Sequence, residues 1–236
     1  MPVALITGAS MGLGKALAAA LAEQGWDLVI DARHQPALDA VRQSLAEAGG
    51  RVVAVPGDVT DPDHRAVLVD AAAELGGIDA LVNNASTLGP SPMPPLAAYP
   101  AEDLERVFAV NVVAPIALAQ LALPLLTERR GTITNITSDA SVEPYEGWGG
   151  YGSSKAALDH ATAILAAEQP DLRVYAADPG DMRTQMHQDA FPGEDISDRP
   201  EPASAVPALL RLVRGELPSG RHRAAEIAAL DAGVSA

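Results

Sequence analysis

The chain has 236 residues, a formal net charge of −15, 48% hydrophobic residues and only 3% aromatic ones. That length can bury one α/β core unaided, and with no cysteine there is neither a disulfide framework nor a thiolate nucleophile. The acidic field argues against nucleic acid and anionic membrane as partners, and no run approaches the roughly eighteen uninterrupted apolar residues of a membrane span.

Met1 leads directly into a strand-like run, Val3–Ile6, without a basic region or cleavage signal, so the expected location is cytoplasmic. Next comes Thr7-Gly8-Ala9-Ser10-Met11-Gly12-Leu13-Gly14, a Gly-x3-Gly-x-Gly turn opening a helix over about 13–24. Glycines there let the backbone approach a pyrophosphate, and a helix N-terminus offers N–H groups and a positive dipole. Tight packing of the turn is the competing reading.

Residues 28–30 form a second apolar run, 36–48 a helical stretch and 52–55 a third run, followed by Asp58-Val59. A helix over 62–75 leads to a fourth run, 80–82, and then Asn83-Asn84-Ala85-Ser86. Each of these polar groups closes a strand, where it could meet an adenine or simply hold the turn. Residues 88–100 hold five prolines and predict an irregular loop.

A long helix over 101–127 precedes the run Thr132–Ile136, which leads to Ser138. Beyond it, Tyr145 and Trp148 suit either stacking on a flat substrate or packing of their own loop. Glu143 and Glu146 would disfavour an anionic substrate if they face the pocket, and are otherwise solvated. Tyr151-Gly152-Ser153-Ser154-Lys155 starts a helix reaching 168, and residues 174–177 form a sixth run. Residues 185–202 predict a second irregular loop, and 221–227 is a weak candidate for a last strand. Short apolar strands alternating with Ala-rich helices predict one doubly wound domain over 1–236, a parallel sheet with helices on both faces.

The spacing of Tyr151 and Lys155 puts both on one helix face, a turn apart. The chain uses fourteen arginines and only two lysines, so a retained Lys points to a need for a compact ammonium. A phenol with a pKa near 10 is a poor acid–base group, and a neighbouring ammonium is expected to lower it. Lys155 can also reach ribose hydroxyls, and the end of the fifth strand can bring the Ser138 hydroxyl near the tyrosine.

Thr7-Gly8, Gly12, Gly14, Asp58, Asn83-Asn84-Ala85, Asn111, Ser138, Tyr151, Lys155 and Pro179-Gly180 together resemble the short-chain dehydrogenase/reductase family over about residues 3–184. The resemblance implies a seven-stranded Rossmann sheet and hydride exchange at a nicotinamide. It implies a catalytic tetrad of Asn111, Ser138, Tyr151 and Lys155. Tyr151 would protonate the carbonyl oxygen, Ser138 would hydrogen-bond it, and Asn111, within its helix, would position a water between Lys155 and solvent. Gly8, Ser10, Met11, Gly12, Leu13, Gly14, Asp58, Val59, Asn84 and Ala85 would hold the dinucleotide with Tyr151 and Lys155. Pro179, Gly180, Met182 and Thr184 would meet the nicotinamide, the last through its hydroxyl. Metal has no place in this scheme.

Counting from Gly25 puts Ala32 where NAD-preferring relatives carry a ribose-binding acid, with Arg33 next to it, which favours NADP(H) over NAD(H). A one-residue shift would make Asp31 that acid and favour NAD. The expected substrate is a small carbonyl or alcohol, chosen by loops 86–100 and 185–202. The two long helices are expected to pack a homodimer or homotetramer. A non-catalytic dinucleotide-binding sensor or scaffold on the same fold is the alternative function. An epimerase or dehydratase is less favoured at this length.

Overall fold

The computed structural model describes residues 1–233. Its seven strands are β1 (Val3–Ile6), β2 (Asp27–Ala32), β3 (Val52–Pro56), β4 (Ala80–Asn83), β5 (Thr132–Ile136), β6 (Arg173–Asp178) and β7 (Gly220–Arg223). They form one parallel sheet in the order β3-β2-β1-β4-β5-β6-β7, the Rossmann-type arrangement expected.

Helices cover both faces, so the strands are apolar on consecutive positions, and alternate residues enter opposite layers. Ala4, Ile6, Leu28 and Ile30 pack under α1 (Gly12–Glu23), α2 (Gln35–Leu45) and α8 (Val206–Val213). Val3, Leu5, Val29 and Leu81 pack under α3 (Pro62–Leu75) and α5 (Ala114–Arg129). The remaining helices are α4 (Ala101–Phe108), α6 (Gly149–Glu168), α7 (Gln185–Ala190) and α9 (Ala224–Gly233).

Several boundaries differ from the sequence reading. The helix expected over 101–127 is α4, a π turn at Ala109–Val113 and α5 in succession. By length and composition the whole stretch Ala101–Arg129 could cross a membrane, but Leu118, Ala119, Ala122 and Leu126 bury its apolar side against the sheet. It is a core helix. Helix α6 begins at Gly149, so Tyr151 lies inside its first turn rather than at its start. Glycine reads as a helix breaker, yet these glycines permit close packing: a Cβ on Gly150 would lie 2.4 Å from the Tyr99 ring, and one on Gly152 2.8 Å from Ala140 O.

The two loops expected to be irregular hold short helices, a 3-10 turn at Leu96–Ala98 and α7. The last strand is only Gly220–Arg223, and Ala224–Gly233 forms α9. Helix α8 had no counterpart in the sequence reading.

Candidate active site

The sheet order reverses direction between β1 and β4, which opens a crevice above their carboxyl ends. Thr7 and Asn84 close its floor. Thr7 Oγ1 accepts the N–H groups of Asn84 and Ala85, each at 3.0 Å, and Asn84 Nδ2 donates to Thr7 O at 2.9 Å and Gly8 O at 3.0 Å. A cavity of about 790 Å³ runs along this crevice.

At one end of the cavity the chain presents Gly8, Ser10, Met11, Gly12 and Leu13. Met11, the residue before α1, makes no side-chain hydrogen bond to the first turn of that helix. The amides at this N-terminus therefore face the cavity with no capping side chain, an arrangement that fits a pyrophosphate. Gly14 stands apart from the other turn residues. It does not line the cavity, and a Cβ there would lie 2.5 Å from both Asn84 Nδ2 and Gly8 O. Its contribution is close packing of α1 against the crevice floor.

The end of β2 supplies the next wall. Asp31, 1% exposed, is engaged at both oxygens: Gly8 N–H donates to Oδ1 at 2.9 Å, and His64 Nε2 lies 3.0 Å from Oδ2. Ala32 ends the strand, and Arg33 follows it, exposed and lining the cavity. Asp58 and Val59 line the same end. Burial raises the Asp58 carboxyl, but hydrogen bonds from Thr60 and the charge of Arg33 outweigh it, so its pKa lies below the usual value.

At the other end stand Ser138, Tyr151 and Lys155. Lys155 is 2% exposed, and its Nζ donates to Ile136 O at 2.8 Å while lying 5.5 Å from the centroid of the Tyr151 ring. Burial brings its pKa down to about 8, against the opposing pull of the Asp159 carboxylate. An ammonium has three donors, and the capacity beyond the Ile136 bond suits ribose hydroxyls.

The expectation that the tyrosine pKa falls below its ordinary value is not met. Burial pushes the Tyr151 phenol upward, the carboxylates of Asp139 and Asp178 add to the rise, and hydrogen bonds with Ser138 and Ser86 only partly offset it. The phenol is 7% exposed, so an anion there would lose its hydration. Ser86 escaped the sequence reading as a partner of the phenol, although it belongs to the Asn-Asn-Ala-Ser run that ends β4.

Ser138 also meets groups the sequence reading missed. Its Oγ donates to Asp139 Oδ1 at 2.9 Å, and its carbonyl accepts from Arg221 Nη2 at 3.1 Å. Arg221 further reaches Asp159 and Asp178, each at 3.1 Å, so β7 braces the back of the site. Such a residue gives no local sequence signal because its partners lie 43 to 83 positions away.

Asn111 does not line the cavity, and it is fully buried in the π turn. Its Nδ2 donates to Thr87 O at 2.9 Å and Ser154 Oγ at 3.0 Å, while its Oδ1 accepts from Thr87 N at 2.9 Å and Ser86 Oγ at 3.1 Å. The side chain is thus committed to tying the loop after β4 onto α6. A water relay at Asn111 would have to use its main chain. Ala85, Pro179, Gly180, Met182 and Thr184 line the cavity. Thr184 Oγ1 accepts His187 N–H at 3.2 Å as the cap of α7, which leaves its O–H free to donate.

Residues 2–195 match the family described as short chain dehydrogenase. The chain is 35% identical over 196 residues to a benzil reductase ((S)-benzoin forming) of Saccharomyces cerevisiae, covering 79% of this chain and 74% of that one. It is 34% identical over 200 residues to the sepiapterin reductase of Meriones unguiculatus, covering 79% and 76%. Among solved structures it resembles an alcohol dehydrogenase of the archaeon Thermococcus sibiricus complexed with 5-hydroxy-NADP, with a TM-score of 0.83, 29% identity and coverage of 94% and 95%.

Proposed function

The chain belongs to the short-chain dehydrogenase/reductase family, and on that footing we propose that it reduces a small ketone or aldehyde with NADP(H), or oxidises the matching alcohol, through proton transfer at Tyr151. Membership makes it an NAD(P)-dependent oxidoreductase acting on CH–OH or C=O groups. The observation that carries the finer reading is the buried pair of Tyr151 and Lys155 at one end of a cavity whose other end is the uncapped start of α1.

The nicotinamide, when bound, supplies hydride to the carbonyl carbon or takes it up in reverse. Tyr151 does the proton chemistry. Its raised pKa keeps the phenol protonated at neutral pH, ready to donate as the C=O π pair moves onto oxygen. The phenolate left behind has the Lys155 ammonium as its neighbouring cation, 5.5 Å from the ring centroid. Ser138, turning its hydroxyl from Asp139, hydrogen-bonds the substrate oxygen. Asn111 keeps the Ser86–Thr87 loop against α6, and Lys155 holds the nicotinamide ribose.

The turn residues Gly8, Ser10, Met11, Gly12 and Leu13 hold the pyrophosphate, with Asp58, Val59, Asn84 and Ala85 toward the adenosine side and Pro179, Gly180, Met182 and Thr184 toward the nicotinamide. NADP(H) is favoured over NAD(H) because the Asp31 carboxylate is already engaged by Gly8 and His64, while Arg33 stands exposed where a 2′-phosphate would lie. The apolar residues that α5 and α6 leave exposed, Ile116, Leu121 and Ile164, are read as the contact between copies in a homodimer or homotetramer.

Tyr151→Phe tests the mechanism. It should leave NADPH binding within about threefold and reduce turnover by a factor on the order of 10² to 10⁴, the range of lost general acid catalysis. Turnover equal to that of the parent would sink proton transfer at Tyr151, and a parent that binds NADPH but turns over no carbonyl would return the non-catalytic sensor reading.

A further inference from the structure

The chain has two Trp, four Tyr and two Phe. Half of these eight gather at the substrate end of the cavity. Trp148 lies edge-on to Tyr145 at 6.0 Å and to Tyr151 at 5.8 Å between ring centroids, and tilted against Phe191 at 5.8 Å. Phe191 in turn contacts the His187 ring at 4.9 Å. In a protein so poor in aromatics, this concentration around the reacting phenol needs an explanation beyond packing.

Trp148 is the hub of the chain of rings and lines the cavity beside Tyr151. Leu88, Met186 and Ala190 complete an apolar surface there. The ring is held from three sides. Trp148 directly precedes α6, Phe191 backs it from the end of α7, and Tyr145 braces it by donating its hydroxyl to Asp139 Oδ2 at 2.9 Å. Of the carboxylates that line this end, Asp178 is paired with Arg221 and Asp181 lies 3.9 Å from Arg199, while Asp139 accepts hydrogen bonds from Ser138 and Tyr145; Arg183 is paired with Glu201.

We infer that the substrate is a neutral aryl ketone, or the secondary aryl alcohol in reverse, with its ring seated against Trp148 and its carbonyl oxygen at the Tyr151 phenol. An aromatic wall favours a ring with a quadrupole over a saturated ring of equal size, by roughly 2- to 10-fold beyond the area buried. The Asp139 carboxylate, one residue from Ser138, disfavours an acidic substituent on the substrate. Trp148 is the residue that sets this selectivity, and Tyr145 positions it.

This inference rests on the carbonyl-reductase reading, so its test uses binding as well as turnover. Dissociation constants of the NADP⁺ complex for acetophenone and cyclohexyl methyl ketone, measured by calorimetry, isolate aromaticity from size. Phenylglyoxylate against 1-phenyl-1,2-propanedione isolates charge. The parent protein should bind acetophenone and the dione preferentially. Trp148→Ala should reduce the acetophenone-to-cyclohexyl ratio to near unity, Trp148→Phe should retain most of it, and Tyr145→Phe should lose about half.

Equal binding of the two ketones by the parent, a preference that survives in Trp148→Ala, or binding of phenylglyoxylate as tight as that of the dione would each overturn the inference. Should the alanine variant not fold, Trp148→Leu serves in its place. Selective binding of acetophenone without turnover of either ketone would instead sink the reductase reading and leave the aryl-selective site standing.

Discussion

Lys155 is a cation with almost no solvent contact, and its burial has a thermodynamic sign. Its pKa falls from 10.5 in the unfolded chain to about 8 in the fold. Below pH 8 both states carry the proton, and the folded state bears the whole cost of a desolvated ammonium, on the order of 3 kcal/mol. Between pH 8 and about 10 the folded protein releases that proton while the unfolded chain keeps it, so this cost falls and stability rises with pH. Lys155→Met removes the charge together with its hydrogen bond to Ile136 O, a bond worth about 1 kcal/mol net. The variant is therefore expected to be inactive yet more stable than the parent by about 2 kcal/mol at pH 6.5, an advantage that shrinks by pH 9.5. Urea unfolding at the two pH values measures this. A stability difference that does not change with pH would show that the lysine carries no such burden. The pair itself was legible in the sequence, since Tyr and Lys four apart share a helix face. The direction of the tyrosine pKa was not, because it depends on burial and on Asp139 and Asp178 more than on the neighbour one turn away.

Among the elements, β2 decides the most about function with the fewest residues. Its register pairs Asp31 with Val55 and Ala32 with Pro56, which places the Asp31 carboxylate under the glycine-rich turn and Arg33 just past the strand. Arg33→Ala should raise KM for NADPH by about 10- to 100-fold, the worth of a charge-assisted contact, and change KM for NADH by less than about threefold. Equal losses with both dinucleotides would move the ribose contact to Asp31. Apolar periodicity gave six of the seven strands their places, but a one-residue register and the glycine-rich start of α6 lie beyond it. Gly149, Gly150 and Gly152 look like breakers until the facing atoms of Leu96, Tyr99 and Ala140 are in view. The π turn around Asn111 is hidden for the same reason. It is stabilised by bonds from its Asn side chain to Ser86, Thr87 and Ser154, which no local pattern reveals.

At the scale of the whole molecule, alternation of strands and helices was enough to foresee a parallel doubly wound sheet, whereas the ties across it were not. Arg221 reaches from β7 to Ser138, Asp159 and Asp178, and Asn83 and Asn135 pair at 2.7 Å between β4 and β5. Those contacts follow from the fold and cannot precede it. The same holds for what the fold leaves uncovered. Helices α5 and α6 lie on one face of the sheet, and after their inner sides are buried they still expose Ile116, Leu121 and Ile164 to solvent, beside Val113 at the end of the π turn. Scattered apolar residues are ordinary on a surface, but a patch spanning neighbouring long helices is what an isologous contact buries. Copies that each carry a charge of −15 repel at low ionic strength, so such a contact should strengthen with salt as screening shortens the range of that repulsion. Light scattering at 0.3 M salt is therefore expected to give two or four times the 24.3 kDa chain mass, and Leu121→Glu with Ile164→Glu to give the single-chain mass with activity per site reduced by less than about threefold. A parent protein that runs at 24.3 kDa at every salt concentration would assign the patch to the monomer surface.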